Sequence, residues 1–321
     1  MKAIINDRYG PPGDLRLRDI DRPEPSAGEV LVRVHAAALH VGDCFKVRGV
    51  PFLVRAASGL RRPRYGVPGE DLAGLVEAVG DGVTRFRPGD EVFGFGGGSC
   101  AEYALAKEDR LAPKPAGLSF EEAAAMPTSA VTALRGLRDT GRVEPGQRVL
   151  INGASGGVGT FAVQIAVSLG AEVTGVCGPA NADMVRSIGA RHVIDHTRED
   201  FTRGTRRYDV ILDNVENHSL SGVRRALAPD GTLLPNSGTG ASGARLLFRQ
   251  VKPVLVSPFV RQRLRRFVAV PKPGDLAAVA ELAENGSLKP VIGRTYPLPR
   301  TAEALDHIET GHAGGKTLIT F

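Results

Sequence analysis

Two rhythms of apolar and polar positions divide this chain. Up to about residue 118 the apolar residues come in short alternating runs. Glu29-Val30-Leu31-Val32-Arg33-Val34-His35-Ala36 is one such run, and Leu72 to Gly80 is another. Pro88-Gly89-Asp90 makes a turn into Glu91-Val92-Phe93-Gly94, and Cys100 to Ala104 resumes the pattern. Period-two alternation punctuated by glycine and proline predicts strands. Short strands at this spacing predict a partly open β-barrel.

From Ser119 the rhythm becomes helical. Ser119 stands before Phe120 to Ala125 with Glu122 three residues on, the spacing of a capping box. Pro127 interrupts, and Ser129 to Asp139 predicts a further helix. Beyond Val143, strands and helices alternate. The strand candidates are 149–152, 172–177, 192–195, 210–214, 231–234 and 267–270. Six strands with helices between them predict a doubly wound parallel sheet. Residues 274–284 read as a helix. Gly315 to Phe321 reads as a final strand returning to the first domain. The expected class is α/β: a β-rich domain of residues 1–121, a parallel-sheet domain of 122–272, and a return over 273–321.

One segment of the second rhythm carries chemistry. The apolar run 147–152 leads into Gly153-Ala154-Ser155-Gly156-Gly157-Val158-Gly159, and a helix-like stretch follows with Val158, Phe161, Ala162, Ile165, Ala166 and Leu169 on one face. Strand, glycine turn and helix start together make a site for a dinucleotide pyrophosphate. Gly156 and Gly157 let a phosphate approach the backbone, and Gly159 lets the helix pack on its strand. Ser155 is the side-chain donor within the turn.

Composition narrows the class. The length of 321 residues suits two domains, and 42% apolar residues is ordinary for a globular protein. There is no run of about 18 apolar residues, so no membrane span is expected. The first residues read as a strand start and not as a signal peptide, which makes the cytoplasm the default. The three cysteines, Cys44, Cys100 and Cys177, are too scattered for a disulfide framework or a clustered zinc site. The net charge of +6 is consistent with phosphate affinity; no nucleic-acid module accompanies it. Arginines concentrate in 54–64, a pocket-shaping loop, and in 244–266, read as one or two surface helices beside the cofactor cleft, with a basic amphipathic segment touching a membrane or partner as the alternative.

Several blocks in order resemble the medium-chain dehydrogenase/reductase superfamily, in its zinc-free quinone oxidoreductase-like branch. They are Pro68-Gly69-Glu70-Asp71-Leu72-Ala73-Gly74 with 76–80, then Phe86 to Gly94, Glu102-Tyr103 and Thr132-Ala133. The glycine turn, Gly189-Ala190 and Val193-Ile194-Asp195 complete the set. The resemblance spans nearly the whole chain. It implies a GroES-like catalytic domain with a Rossmann domain inserted, and a homodimer, since members are commonly dimers or tetramers.

The resemblance also places the metal ligands of zinc-dependent members. They fall at His40, at Glu70 within Gly69-Glu70-Asp71, and near Pro127, so zinc is not expected; His40, Cys44 and Glu70 remain an improvised alternative. Without zinc, the implied reaction is hydride transfer to a quinone or an α,β-unsaturated carbonyl. The cofactor expected is NADPH. No acid follows the strand ending at Cys177 until Asp183, whereas NAD enzymes place one there for the ribose diol. Asn181, Arg186 and His196 are the candidates around the extra phosphate.

The resemblance further assigns Thr132, Asn214, Val215, Ser237 and Gly238 to the cofactor, and Thr128, beside Pro127, is expected to face the nicotinamide. Catalytic candidates are His40 and Asp43, on the stretch that lines the substrate cleft in relatives, and Tyr65, which follows the arginine loop and is read either as a hydrogen-bond donor to a carbonyl or as a packing residue. A zinc-dependent alcohol dehydrogenase and a non-catalytic nicotinamide-binding protein are the alternatives.

Overall fold

The fold is taken from a computed structural model that describes residues 1–64, 66–236, 257, 260–267, 269–311 and 313–321, without the side chains of 53 and 57. The described chain forms two compact units. One comprises Met1–Thr128, Pro271–Gly286 and Pro290–Phe321; the other comprises Ser129–Val270 and Ser287–Lys289.

The first unit opens with a two-stranded ribbon, β1 (Lys2–Ile5) against β2 (Arg16–Asp19). Its main sheet is built on β3 (Glu29–Leu39), which leads into helices α1 (Val41–Arg48) and α2 (Leu53–Ser58). The strands β4 (Asp71–Val79), β5 (Glu91–Phe95), β6 (Tyr103–Lys107) and β7 (Leu111–Pro113) follow. Next come α3 (Phe120–Ala124) and α4 (Pro127–Leu134).

In the second unit the order is β8 (Arg148–Asn152), α5 (Gly157–Ser168), β9 (Glu172–Cys177), α6 (Ala182–Ser187) and β10 (His192–Asp195). It continues with β11 (Tyr208–Asp213), α7 (Leu220–Ala226), β12 (Leu227–Pro235) and β13 (Arg263–Leu264). The chain then supplies the first unit with a helix at Asp275–Glu284, β14 (Ile292–Pro297), a helix at Thr301–Glu309 and β15 (Lys316–Thr320).

The main sheet of the first unit runs β14-β15-β3-β4-β5-β7, with β6 also on β3. Its pairs are antiparallel except β14 with β15. Val30, Val32, Val34, Leu39, Leu72, Val92 and Ile319 form its core. The sheet of the second unit is wholly parallel in the order β10-β9-β8-β11-β12-β13. Its central strand β8 is buried on both faces at Val149, Leu150 and Ile151, which is why it reads as a continuous apolar run. Full burial of such a side chain contributes about 1.5–3 kcal/mol before chain entropy is counted.

Several local expectations need correction. Among the described residues of 267–270 none lies in a strand: Arg263 and Leu264 reach β12 in register instead, and the Phe267 ring packs on Gly136. Pro127 does not interrupt a helix but begins α4, where its missing N–H costs nothing, and Arg135–Gly141 continue as a π-helix. Within 54–64, residues 54–58 belong to α2 and not to a loop. Helix α5 is buried over Gly159–Ala166 on all faces, not on one. Its buried Gln164 is satisfied by the backbone of Lys289, donating to the carbonyl at 3.0 Å and accepting from the N–H at 2.7 Å. The capping box at Ser119 and Glu122 is formed reciprocally, at 3.2 and 3.0 Å. Most of 244–266 lies outside the described residues.

Candidate active site

In the second unit the glycine turn, His196 and Asn214-Val215 follow the C-terminal ends of the parallel strands β8, β10 and β11, where open α/β sheets bind ligands. The turn after β8 is tied to the end of β9: the N–H groups of Gly153 and Ala154 both donate to the Val176 carbonyl, at 3.1 and 2.9 Å. Gly153 has φ +76°, a left-handed conformation natural to glycine. Helix α5 begins at Gly157 with Gly156 as its cap and no side-chain bond at that cap. Its first-turn N–H groups and dipole are thereby left for an anion. Gly159 is demanded by packing, because a Cβ there would stand 2.0 Å from the Gly153 carbonyl oxygen. These features fit a dinucleotide pyrophosphate over Ser155, Gly156, Gly157, Val158 and Gly159.

A hydrogen-bonded network flanks the turn. The Asn152 Nδ2 donates to Asp213 Oδ1 at 2.7 Å, deep in the sheet. Asp213 Oδ1 also accepts from the N–H groups of Val215 and Glu216, at 3.2 and 2.8 Å. Asn214 Nδ2 donates to the Asn152 carbonyl at 3.2 Å, and Asn236 Nδ2 donates to Asn214 Oδ1 at 2.7 Å. The structure thus brings Asn214 and Val215 beside the glycine turn.

At the end of β9 the His196 Nε2 stands 3.5 Å from where a Gly178 Cβ would be. Arg186 is exposed and donates to Asp183 at 2.8 Å; Asn181 caps α6 without a side-chain bond. Thr132 sits half-buried on α4. Ser237 and Gly238 lie outside the described residues, as does Tyr65.

In the first unit, a polar cluster lies at the ends of β3 and β4. His40 caps α1: its Nδ1 accepts from the Gly42 N–H at 3.0 Å, and Asp43 Oδ2 accepts from the His40 N–H at 2.9 Å. Because Nδ1 is an acceptor, the neutral ring carries its proton on Nε2. That Nε2 is buried, has no hydrogen-bond partner, and stands 3.5 Å from Asp43 Oδ2. Burial, reinforced by the charges of Lys316 and Lys46 and resisted by Asp71, holds the imidazolium pKa down to about 4. Burial, reinforced by Glu70 and resisted by Lys46, pushes the Asp43 carboxyl up to about 6.

Behind the histidine is a buried ion pair. Lys316 Nζ donates to Asp71 Oδ2 at 3.3 Å, with both side chains almost wholly out of solvent. The other oxygen of Asp71 accepts from the Thr128 N–H at 3.1 Å and from its hydroxyl at 2.6 Å. Asp71 therefore serves the N-terminus of α4, where a negative charge is favoured. Thr128 is tied up in this contact.

The sequence reading does not pair Asp71 with Lys316. A lysine inside the otherwise apolar strand Lys316-Thr317-Leu318-Ile319 is the available signal, but its partner is 245 residues away.

The positions that carry zinc ligands in zinc-dependent relatives do not fit the metal. Glu70 is engaged by Lys46 at 2.5 Å, Pro127 has no donor side chain, and the Lys316 ammonium sits in the same cluster. Among the described residues no three His, Cys, Asp or Glu side chains stand together as a metal-ligand set. Burial pushes the Cys44 and Cys100 thiols up, away from the thiolate that zinc prefers. Among the described residues, no helix is long and apolar enough to cross a membrane.

Comparison with known proteins places the chain in a family. Residues 26–116 match the alcohol dehydrogenase GroES-like domain, and residues 188–319 match the zinc-binding dehydrogenase model. The quinone oxidoreductase of Rattus norvegicus is 32% identical over 98% of this chain and 95% of its own length. The structure of the quinone oxidoreductase from Coxiella burnetii has a TM-score of 0.84 and 29% identity, covering 100% of this chain and 99% of that one. A mycobacterial protein complexed with NADPH has a TM-score of 0.86 and 25% identity, with each chain fully covered.

The first unit is GroES-like and the second is a Rossmann-type parallel sheet. With 32% identity sustained over nearly its whole length, the chain belongs to the medium-chain dehydrogenase/reductase superfamily, in its quinone oxidoreductase-like branch, and is an oxidoreductase of that group.

Proposed function

We propose that this protein reduces quinones or α,β-unsaturated carbonyls with NADPH and without zinc. The observation that carries the reading is the buried, neutral His40, whose Nε2–H has no partner, standing at a metal-ligand position of zinc-dependent relatives and within reach of the charges of the Asp71–Lys316 pair. The bound nicotinamide supplies the hydride.

His40 donates its Nε2–H to the substrate oxygen as negative charge develops there. A neutral imidazole suits this task, because the donor is present without a protonation step. Asp43 fixes the helix cap by accepting the backbone N–H of His40, while the Gly42 N–H holds the ring through Nδ1. The glycine turn and α5 hold the pyrophosphate; Thr132, Asn214 and Val215 border the cofactor. NADPH is favoured over NADH by the lack of an acid from Gly178 to Ala182 and by His196 beside Gly178. Asp183, the first acid, is engaged by Arg186. A homodimer in the cytoplasm belongs to the same reading.

The deciding measurement is NADPH oxidation against a panel of quinones and enones, run beside NADH, with metal analysis of the same sample. Turnover that survives chelation is expected. Stoichiometric zinc with chelator-sensitive turnover overturns the metal-free reading, and cofactor binding without any turnover points to a sensing protein.

A second test isolates His40. His40→Asn keeps an acceptor for the Gly42 N–H, since asparagine is an effective cap, but shortens the reach into the site. A loss of about a hundredfold in kcat is expected, the scale of removing one donor to a developing oxyanion. The imidazole step of wild-type kcat should be absent at the ordinary histidine pKa of 6.5 and should come only as pH approaches 4, a step near 6 belonging to the Asp43 carboxyl. Protonation then takes the Nδ1 lone pair from Gly42. A step near 6.5 that survives Asp43→Asn but disappears in His40→Asn contradicts the buried neutral ring.

A further inference from the structure

Among the described residues only two that are not glycine adopt a left-handed backbone, Arg142 at φ +51° and Glu216 at φ +53°. Such a conformation costs on the order of 1 kcal/mol in a residue with a Cβ and persists only where its surroundings impose it. At Glu216 the surroundings are identifiable. From the sheet side, Asp213 Oδ1 accepts the N–H of Glu216 at 2.8 Å and of Val215 at 3.2 Å. From the other side, Arg266 Nη2 donates to both Glu216 carboxylate oxygens at 2.8 Å. The two side chains are only 14% and 12% exposed, so the pair is shielded from solvent screening.

The turn so held lies against the glycine loop. The Val215 Cγ2 is 2.8 Å from the place a Gly153 Cβ would take, so the turn occupies the space that Gly153 leaves. Asn152 ends β8, Asp213 ends β11, Asn236 follows β12, and Arg266 stands two residues beyond β13. Four neighbouring strands therefore each send one polar residue to the same short turn, at the ligand-binding edge of the sheet.

We propose that Arg266 is a positioning residue for the dinucleotide: through Glu216 it fixes the turn 214–217 against Gly153 and neutralises a carboxylate beside an anion site. The proposal rests on the functional reading above, which brings a pyrophosphate to this loop. Two effects follow if Arg266 is lost. The turn is released on one side, and the Glu216 carboxylate is left uncompensated where a polyanion binds. Truncating one partner of a shielded, hydrogen-bonded charge pair characteristically weakens binding beyond the loss of the pair itself.

The test is a fluorescence titration of NADPH on the full-length protein, with steady-state kinetics and hydrogen exchange of the unliganded form. Arg266→Met should raise the NADPH Kd about tenfold or more. KM for NADPH should rise with it, while kcat and the quinone KM hold. Exchange at the Val215 and Glu216 amides should quicken. Arg266→Lys, which keeps the charge on a shorter, more strongly hydrated side chain, should fall between.

Adding Glu216→Gly to Arg266→Met supplies a residue at home at φ +53° and removes the stranded charge, so binding should largely return. Arg266→Met with wild-type NADPH affinity overturns the proposal, as does a double variant no better than the single one. Loss of kcat with an unchanged KM for NADPH also overturns it. A wild-type protein that binds neither NADPH nor NADH overturns the functional reading itself, and the exchange data then report only on the turn.

Discussion

Replacing Lys316 with methionine should cost about 3–5 kcal/mol of folding stability at neutral pH, the scale of stripping one partner from a buried ion pair. Asp71 would keep its two bonds from Thr128 but lose the cation 3.3 Å from its second oxygen. Asp71 already titrates above the usual carboxylate range, because burial outweighs Lys316, His40 and Thr128. An acid raised in this way binds more protons folded than unfolded. Its contribution is fully present below the unfolded pKa and is lost as pH rises through the folded one.

Removing Lys316 raises Asp71 further, so the deficit of the variant should be widest near pH 8 and should narrow toward pH 5. Urea unfolding at several pH values measures this. Lys316→Met combined with Asp71→Asn should recover much of the loss, since asparagine still accepts from Thr128. A single variant within 1 kcal/mol of wild type at pH 7.5, roughly the worth of a surface pair, would sink the idea.

Gly159→Val should abolish cofactor binding and destabilise the second unit. A Cβ at Gly159 would lie 2.0 Å from the Gly153 carbonyl oxygen and 2.9 Å from Ala154 backbone atoms, and none of these is the movable end of a side chain. The helix must therefore shift off the turn. A displacement of about 1 Å at a positioning element costs on the order of a hundredfold, and the overpacking itself adds roughly 1–3 kcal/mol.

Gly156→Ala is the informative companion. Its Cβ would meet only the Gly153 oxygen, at 3.4 Å, an ordinary contact. Thermal melts with and without NADPH separate the two. Wild type should gain about 2.7 kcal/mol at a hundredfold excess over Kd. Gly156→Ala should melt like wild type but lose much of that gain, and Gly159→Val should melt low and gain nothing. Ligand stabilisation of Gly159→Val equal to wild type would refute the steric argument.

These contrasts mark what a sequence makes legible. The parallel sheet is legible because β8, β9 and β11 are buried on both faces and separated by helical segments of ordinary length. The cap at Ser119 is legible because its partner is three residues away. The edge strand β13 is not, since Phe267 is as apolar as a strand residue yet packs on Gly136, while the charged Arg263 carries the pairing.

The site divides in the same way. Local chemistry exposes the glycine turn, and the short spacing of His40 and Asp43 puts both on one helix start. The Asp71–Lys316 pair and the Arg266–Glu216 pair depend on contacts across 245 and 50 residues, which no periodicity encodes. Glu216 is harder still, because glycine is the residue a left-handed position advertises.

The pairing of β15 with β3 also dictates an order of events. Leu39 lies opposite Thr317, so the first unit's sheet cannot be completed until the whole intervening chain has been synthesised. The second unit draws nearly all its residues from one uninterrupted stretch, 129–270, and can condense while β3 still lacks that neighbour. Until β15 docks, Asp71 is a carboxylate without its cation, and the emerging β3 edge is open to pairing with other chains. A nascent chain stalled before residue 316 should therefore hold a protease-resistant second unit and an unfinished, chaperone-dependent first one.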